Sequence, residues 1–348
     1  MAPRQLQLLV MVALALLIAS AIPSTPEAAV ATQDRVEIDD GNGTLILSRH
    51  GDSDFVDMRG NRDRRVALPG YAPEEDAAGG NPTNPSSRQR LSLNPSPLSP
   101  PGQPAGSVIG ADDRKRVGRT TAYPARAAAF IYIDTSSRLD PTVAQPEGAL
   151  CSGALVAGSN LVITAAHCVF NVGAGVWHDD WTVYPGAKKN GKFPYGSCGW
   201  RRIFIHKKWP KTGNPKYDVA AIVLDCNVGE QTGWFGAKLS TGSGFIAGQH
   251  IIHQYPGDKP LATQWRDRGM WAGVDKPGQR AFYTIDTAGG SSGSAVIQRQ
   301  SDGTYNSNAT HAYGAGSTGR NSGATWWKQM WKKVMLKAVR FATRVQQP

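Results

Sequence analysis

Beyond Ser107 the chain alternates short β-branched and aromatic runs with Gly, Pro, Asn and Asp. Such runs occupy 127–133 (AAAFIYI), 161–164 (LVIT), 202–206 (RIFIH), 219–224 (VAAIVL), 249–254 (QHIIHQ) and 282–285 (FYTI). Short strands at regular spacing with turn residues between them predict an all-β sandwich or barrel. The period changes only at the end. Trp327, Met330, Trp331, Val334, Ala338 and Phe341 recur at three- and four-residue steps, with Lys328, Lys332, Lys333, Lys337 and Arg340 largely on other faces. That spacing predicts an amphipathic helix over about 325–345, packed on the domain by its apolar stripe.

The front of the chain reads differently. Arg4 precedes an apolar run at 8–21 that ends Ala19-Ser20-Ala21. A positive start, a short apolar run and alternating small residues predict a secretory signal at 1–21, cleaved near Ala21. The run falls short of the roughly 20 residues that span a bilayer, so no stable membrane association is expected. Between Ala67 and Gly106 stand nine Pro and five Gly. That composition favours extended, solvated backbone without a packed face. Residues 22–106 therefore read as a largely irregular pro-segment and Pro-rich linker.

Composition sharpens this division. Of 38 Lys plus Arg and 27 Asp plus Glu, residues 1–106 hold 9 and 12, and residues 107–348 hold 29 and 15, giving net charges of −3 and +14. All ten Trp and all four Cys follow Gly106, and the only aromatics before it are Phe55 and Tyr71. So aromatic-poor a segment does not offset its ordering entropy as an independent domain. A uniformly disordered chain, a multi-span membrane protein and a small disulfide-framework toxin are excluded. The four cysteines lie within 151–226, an even number in an exported chain, which predicts two disulfides; their spacing alone leaves three connectivities open.

Three segments carry candidate chemistry. Residues 163–168 (ITAAHC) lead a strand through small residues to His167. Residues 216–221 (KYDVAA) place Asp218 at the mouth of an apolar strand, where a carboxylate needs donors. Residues 286–296 (DTAGGSSGSAV) hold glycines that let successive N–H groups converge on one point, the requirement of an oxyanion hole. A serine hydroxyl needs a hydrogen-bonded imidazole to take its proton, and a carboxylate to fix that imidazole's tautomer. His, Asp and Ser in this order within an exported all-β chain point to that device.

At these residues the chain resembles the chymotrypsin-fold serine endopeptidases, through ITAAHC and GSSGS (290–294). More closely it is similar to the bacterial glutamyl endopeptidases, in 107–116 (SVIGADDRKR), 120–124 (TTAYP), Tyr195-Gly196, Tyr217-Asp218, 255–259 (YPGDK), 263–265 (TQW) and 286–294. The resemblance covers about 107–345. It implies two antiparallel β-barrels, at about 125–228 and 229–324, followed by the terminal helix. It implies His167 as general base, Asp218 as its orienting carboxylate, Ser292 as nucleophile, and the N–H groups of Gly290 and Ser292 as oxyanion hole. It pairs Cys151 with Cys168, leaving Cys198 with Cys226. Thr287 and His311 match positions that bind an acidic substrate side chain, and Ser107, once freed by cleavage after Gly106, matches an amino terminus that helps recognise it. Two departures stand out: Ser291 precedes the nucleophile where trypsin-type enzymes have Asp, and Ala295 replaces the usual Pro.

The expected function is a secreted endopeptidase, extracellular or periplasmic, that cuts after Glu or Asp, needs no cofactor or metal and works as a monomer. Its partners are acidic protein or peptide substrates, together with a processing protease, because Gly106 is not a Glu site while Glu74-Glu75 is. The competing specificity is Arg/Lys, with Asp286 as the selecting acid; Glu cleavage requires Asp286 to point away from the pocket. Two readings lie outside catalysis: a protease-like binding protein, and a cationic binder of nucleic acid or anionic surfaces. Against nucleic acid, the basic residues are spread over the domain and not interleaved with stacking aromatics. Asp112-Asp113 reads as a solvated turn rather than a Ca²⁺ site.

Overall fold

The computed structural model describes residues 35–49, 65–73, 95–99, 104, 106–134, 148–178, 180–189, 191–241, 248–275 and 278–346. The predicted signal and the Glu74-Glu75 pair lie outside them.

Two large β-sheets form the body of the domain, beside a two-stranded ribbon of Phe170–Asn171 and Val176–Trp177. In the first, the strand order is Thr44–Arg49, Trp200–His206, Ala220–Leu224, Leu161–Thr164, Gly148–Leu155, Ala128–Asp134, Trp181–Pro185, with every one of these neighbours antiparallel. Val183 and Cys198 exchange backbone hydrogen bonds of 2.9 and 3.0 Å, a single rung between the last strand and the residues just before Trp200–His206 that curves the sheet round on itself. Apolar runs such as AAIVL are buried along their whole length, on both faces, because the barrel interior lies on one side and the terminal helix and loops on the other. The second sheet closes fully. Gln249–Gln254, Trp265–Val274, Arg280–Tyr283, Asn321–Thr325, Tyr305–Tyr313 and Ala295–Arg299 pair in that order, and the last returns to the first through Ile251–Ile297 and Ile252–Val296. The two expected barrels are thus present.

Several strands had no sequence signal. Gly148–Leu155 (GALCSGAL) is too small and glycine-rich to read as a strand, yet it is the hydrogen-bonded centre of the first sheet. A Cβ on Gly153 would crowd Ile131 and the Ile163 backbone, so small residues are what let three strands pack there.

The terminal helix runs from Lys328 through a π turn at Trp331–Met335 to Arg344. All six predicted stripe residues are buried. Phe341 packs near Phe204 of the first sheet, and the Arg202 guanidinium sits 3.8 Å over its ring. One expectation fails: Lys337 is buried, because its ammonium donates to Asp40 and to Thr44 Oγ1, the latter at 2.8 Å.

Those partners belong to the segment predicted to be irregular, and here the reading is corrected for the described residues. Thr44–Arg49 (TLILSR) is a strand of the first sheet, flanked by Arg35–Asp39 at the edge and by Trp200–His206, with Ile46 and Leu47 in the core. Ala67–Leu68 pairs with Gly236–Lys238, and Ser96–Pro97 pairs in parallel with Ala149 and Leu150. The segment lacks the apolar area for a core of its own and orders by lending strands to one already built.

A candidate serine protease active site

Local backbone sets the three chemical residues. The strand Leu161–Thr164 ends at Ala165 and turns into one 3₁₀ turn, Ala166–Cys168, which carries His167. Asn214 caps the turn Pro215–Tyr217, after which Asp218 enters the buried strand Ala220–Leu224. Asp218 Oδ1 accepts the His167 backbone N–H at 2.9 Å and Oδ2 meets Nδ1 at 2.8 Å, with both side chains buried. The disulfide Cys151–Cys168 ties the residue after His167 to the neighbouring strand, and Cys198–Cys226 links two strand ends of the same sheet. Both pairings match expectation.

Ser292 sits on a tight loop held from beneath. Its carbonyl accepts the Ser152 N–H at 2.8 Å and faces Cys168 Sγ at 3.8 Å, which brings the loop against the His167 turn. Gly290 and Gly293 both have φ of +91°. A Cβ on Gly290 would strike the Leu150 side chain and the Gly257 backbone, and one on Gly293 would strike Ser152 and Thr164. Only glycine meets both the angle and the space. Among the described residues no acceptor takes the N–H groups of Gly290 or Ser292, so both are left for a ligand oxygen. Ser292 Oγ and His167 Nε2 are likewise buried without partners, so no Ser–His hydrogen bond is formed between them.

Sequence reasoning missed the residues that brace this loop. Ser152 Oγ–H donates to the Gly290 carbonyl at 2.9 Å and accepts the Tyr255 N–H at 2.9 Å. Gln254 accepts from Ser291 Oγ–H and donates through Nε2 to the Asp286 carbonyl at 2.7 Å. Ser291 is thus held by a neutral amide where a carboxylate would need a cation. Nothing in QHIIHQ distinguishes Gln254 from a core strand residue.

The segments 286–288 and 313–315, where the expected specificity pocket would lie, flank Ser107. The Ser107 N–H points to Thr287 Oγ1 at 3.3 Å, its carbonyl accepts the Thr287 N–H at 3.1 Å and Asn321 Nδ2–H at 2.6 Å, and its hydroxyl accepts the Ala315 N–H at 3.0 Å. His311 is zipped to the nucleophile loop, accepting the Gly293 N–H at 2.7 Å and donating its own to Ser294 at 2.8 Å. Its ring Nδ1 meets Tyr283 Oη at 2.7 Å, and burial raises the Tyr283 phenol well above its ordinary value, which keeps it neutral.

Asp286 does not face the pocket with a free carboxylate. Oδ1 accepts the Ile109 N–H at 2.8 Å and Oδ2 the Asp113 N–H at 2.9 Å. The SVIGADDRKR and YPGDK motifs meet next to it. Arg114 forks between Asp112 and Asp258, and Lys259 reaches Asp112 at 2.7 Å. The Arg114 fork holds the Asp112 carboxyl well below the usual carboxylate range. Asp112 is therefore paired in an ion cluster rather than lying in a solvated turn. The two His/Cys/Asp clusters with metal-like proximity, at Cys151, His167, Cys168 and at Cys198, Asp225, Cys226, both consist largely of disulfide sulfurs, which are not thiolate ligands.

Comparison with known proteins adds a lineage to this geometry. The family model described as Trypsin matches residues 119–251. A glutamyl endopeptidase of Bacillus licheniformis is 38% identical over 196 residues, covering 56% of each chain. A Bacillus subtilis protein described as an extracellular metalloprotease is 31% identical over 211 residues, covering 61% of this chain and 64% of that one. The chain thus spans 56% to 64% of the length of these curated relatives. A solved Glu endopeptidase, bound to MPD, superposes with a TM-score of 0.54 and 25% identity, over 68% of this chain and 99% of its own. By the domain matched over 119–251, by these relatives and by the fold, the chain is similar to the chymotrypsin-fold proteases of the trypsin family, glutamyl endopeptidases among them.

Proposed function

We propose that the protein is a secreted serine endopeptidase, made as a zymogen, that cuts peptide bonds after Glu through an acyl-enzyme on Ser292. The observation that carries the reading is the Asp218–His167 pair beside an unpartnered Ser292 hydroxyl and two free N–H groups. Asp218 Oδ2 accepts Nδ1–H, which leaves Nε2 as a lone pair for the serine proton. The alkoxide attacks the carbonyl carbon, and the new oxyanion is received by the N–H groups of Gly290 and Ser292. The imidazolium then protonates the leaving amine, and a water repeats the sequence on the ester.

Glu selection is supported by what the pocket offers an anion. In the tautomer in which His311 Nδ1 accepts from the Tyr283 phenol, Nε2 carries the ring's hydrogen as a donor. Thr287 Oγ1 and the Ser107 nitrogen stand together, and cleavage after Gly106 would turn that nitrogen into an ammonium. The Arg/Lys alternative needs a free Asp286 carboxylate, and both of its oxygens are already engaged by backbone donors.

Zymogen status is supported by the linker. Pro97 lies against Gly257 and Gly289 beside the oxyanion turn, Leu98 N–H donates to the Leu150 carbonyl at 3.3 Å, and Pro104 accepts the Gly314 N–H at 2.7 Å. The chain before Ser107 therefore contacts both walls of the cleft. Secretion rests on the signal-like start and the two disulfides. A serine-reactive fluorophosphonate tests the reading: it labels the processed wild type and not Ser292→Ala. An inert, folded wild type would instead support the protease-like binding protein. Amino-terminal sequencing of both secreted forms separates self-processing from a second protease; identical starts exclude a role for Ser292.

A further inference from the structure

A groove of about 420 Å³ lies between the start of the terminal helix and the end of the strand Trp200–His206. Lys207, Lys208, Lys328, Lys332 and Lys333 line it with His206, and among the described residues no carboxylate does. Its neighbours feel the crowding. Burial, with the charges of Lys208, Lys333 and Lys207, pushes His206 down to about 4, and burial with Lys332 and Lys207 lowers Lys333. His206 stays a neutral spacer: its Nδ1 accepts the Lys208 N–H at 3.2 Å and its Nε2–H donates to Gln329 at 3.1 Å. The lysine stems form the walls, and the five like charges gathered around the groove repel each other unless anions approach them.

The chain itself shows what kind of anion sits there. The turn Asp39-Asp40-Gly41-Asn42 lies at the rim, with Gly43 in the lining. Lys207 Nζ is 3.8 Å from Asp39, Lys333 Nζ donates to Asn42 Oδ1 at 2.6 Å, and Lys337 donates to Asp40. The Lys207 N–H donates to the Gly43 carbonyl at 3.1 Å, so main chain as well as carboxylate is received. An acidic polypeptide makes both kinds of contact. The groove lies next to the turn that precedes Asp218, since His206 stacks on Tyr217 with ring centroids 4.4 Å apart.

We infer that this lysine groove is an exosite for acidic polypeptide segments of the substrate, partly masked by the pro-segment's own acidic turn until that segment is removed. The inference rests on the peptidase reading for its biological use, but its binding test does not need turnover. The test uses full-length Ser292→Ala and a fluorescein-labelled peptide of alternating Asp and Gly, followed by anisotropy at low and moderate salt. The Lys328→Glu/Lys332→Glu pair, both exposed, weakens binding by about tenfold or more, while the equally exposed Lys188→Glu/Lys189→Glu pair changes it by less than about twofold. Asp39→Asn strengthens binding by freeing Lys207, and an Asn-Gly peptide does not bind. Equal loss from both lysine pairs would overturn the site in favour of bulk charge. A single-stranded oligonucleotide that binds as tightly, with the same loss at Lys328 and Lys332, would overturn the assignment to polypeptide. Hydrolysis of a short peptide with neutral flanks, measured on the processed wild type, tests the peptidase reading separately.

Discussion

Asp286 Oδ1 accepts the backbone N–H of Ile109 at 2.8 Å, which fastens the arm after Ser107 to the residue that a trypsin-like reading would make the specificity acid. Its second oxygen takes Asp113 in the same way. The carboxylate serves the arm, and the arm positions Ser107 beside Thr287.

Asp286→Asn keeps the shape but turns one acceptor into a donor facing an N–H. Stability is expected to fall by about 1–3 kcal/mol, the cost of a lost buried partner. Cleavage after Glu should drop by about tenfold without any gain after Arg or Lys, because the arm is displaced while no basic pocket is opened or closed. Thermal melting and paired peptide substrates check both parts.

Gln254 holds the residue before the nucleophile and the Asp286 carbonyl through one amide. Gln254→Ala releases the loop that carries the Gly290 and Ser292 N–H groups, the proposed oxyanion donors. We expect kcat to fall by about a hundredfold with a much smaller change in KM, the pattern of an interaction that matters most in the transition state. Steady-state kinetics on one Glu peptide reads this directly.

Tyr283→Phe leaves His311 Nδ1 without its phenol. The ring then has no fixed tautomer, and its Nε2 hydrogen is no longer assured toward an anion. The preference for Glu over Gln at the cleavage site should narrow by about tenfold, while a melting curve records only the modest loss of one hydrogen bond.

His253 gives the fold a pH dependence. It is 6% exposed, its Nδ1–H donates to Gln264 Oε1 at 3.2 Å, and burial lowers its pKa from 6.5 to about 4. The unfolded chain therefore takes up the proton first as pH falls. Stability is full above about pH 6.5 and declines toward pH 4, by about 3 kcal/mol from this group. Urea unfolding at pH 7 and pH 4 measures the loss, and His253→Gln should reduce it by about that amount, leaving the share of buried His206 in place.

The legibility of the sequence follows physical scale. Five of the six runs singled out by their apolar content are strands at nearly the expected limits, and the sixth, at 282–285, is displaced to Arg280–Tyr283 because Ile285 and Asp286 already turn toward the Ser107 arm. The candidate group of His167, Asp218 and Ser292 was legible because each sits in a short motif whose local backbone does the positioning. Gln254, Ser152, Asn321 and Tyr283 were not, since each acts through a partner 28 or more residues away and resembles an ordinary strand residue. Thr44–Arg49 was hidden by its neighbourhood: composition averaged over 22–106 conceals six residues that fit an existing sheet edge. Lys337 was placed outside by helical period alone, which carries no information about an acidic turn arriving from residue 40.

The central claim is that Ser292, activated by His167 and Asp218, cuts after an acidic residue. The direct measurement is hydrolysis, by the processed protein and by Ser292→Ala, of a peptide series identical except for Glu, Gln, Asp, Arg or Lys before the scissile bond. The account predicts cleavage after Glu, weaker cleavage after Asp, little after Gln, none after Arg or Lys, and none at all by Ser292→Ala. Preferential cleavage after Arg or Lys, or undiminished cleavage by Ser292→Ala, would contradict it.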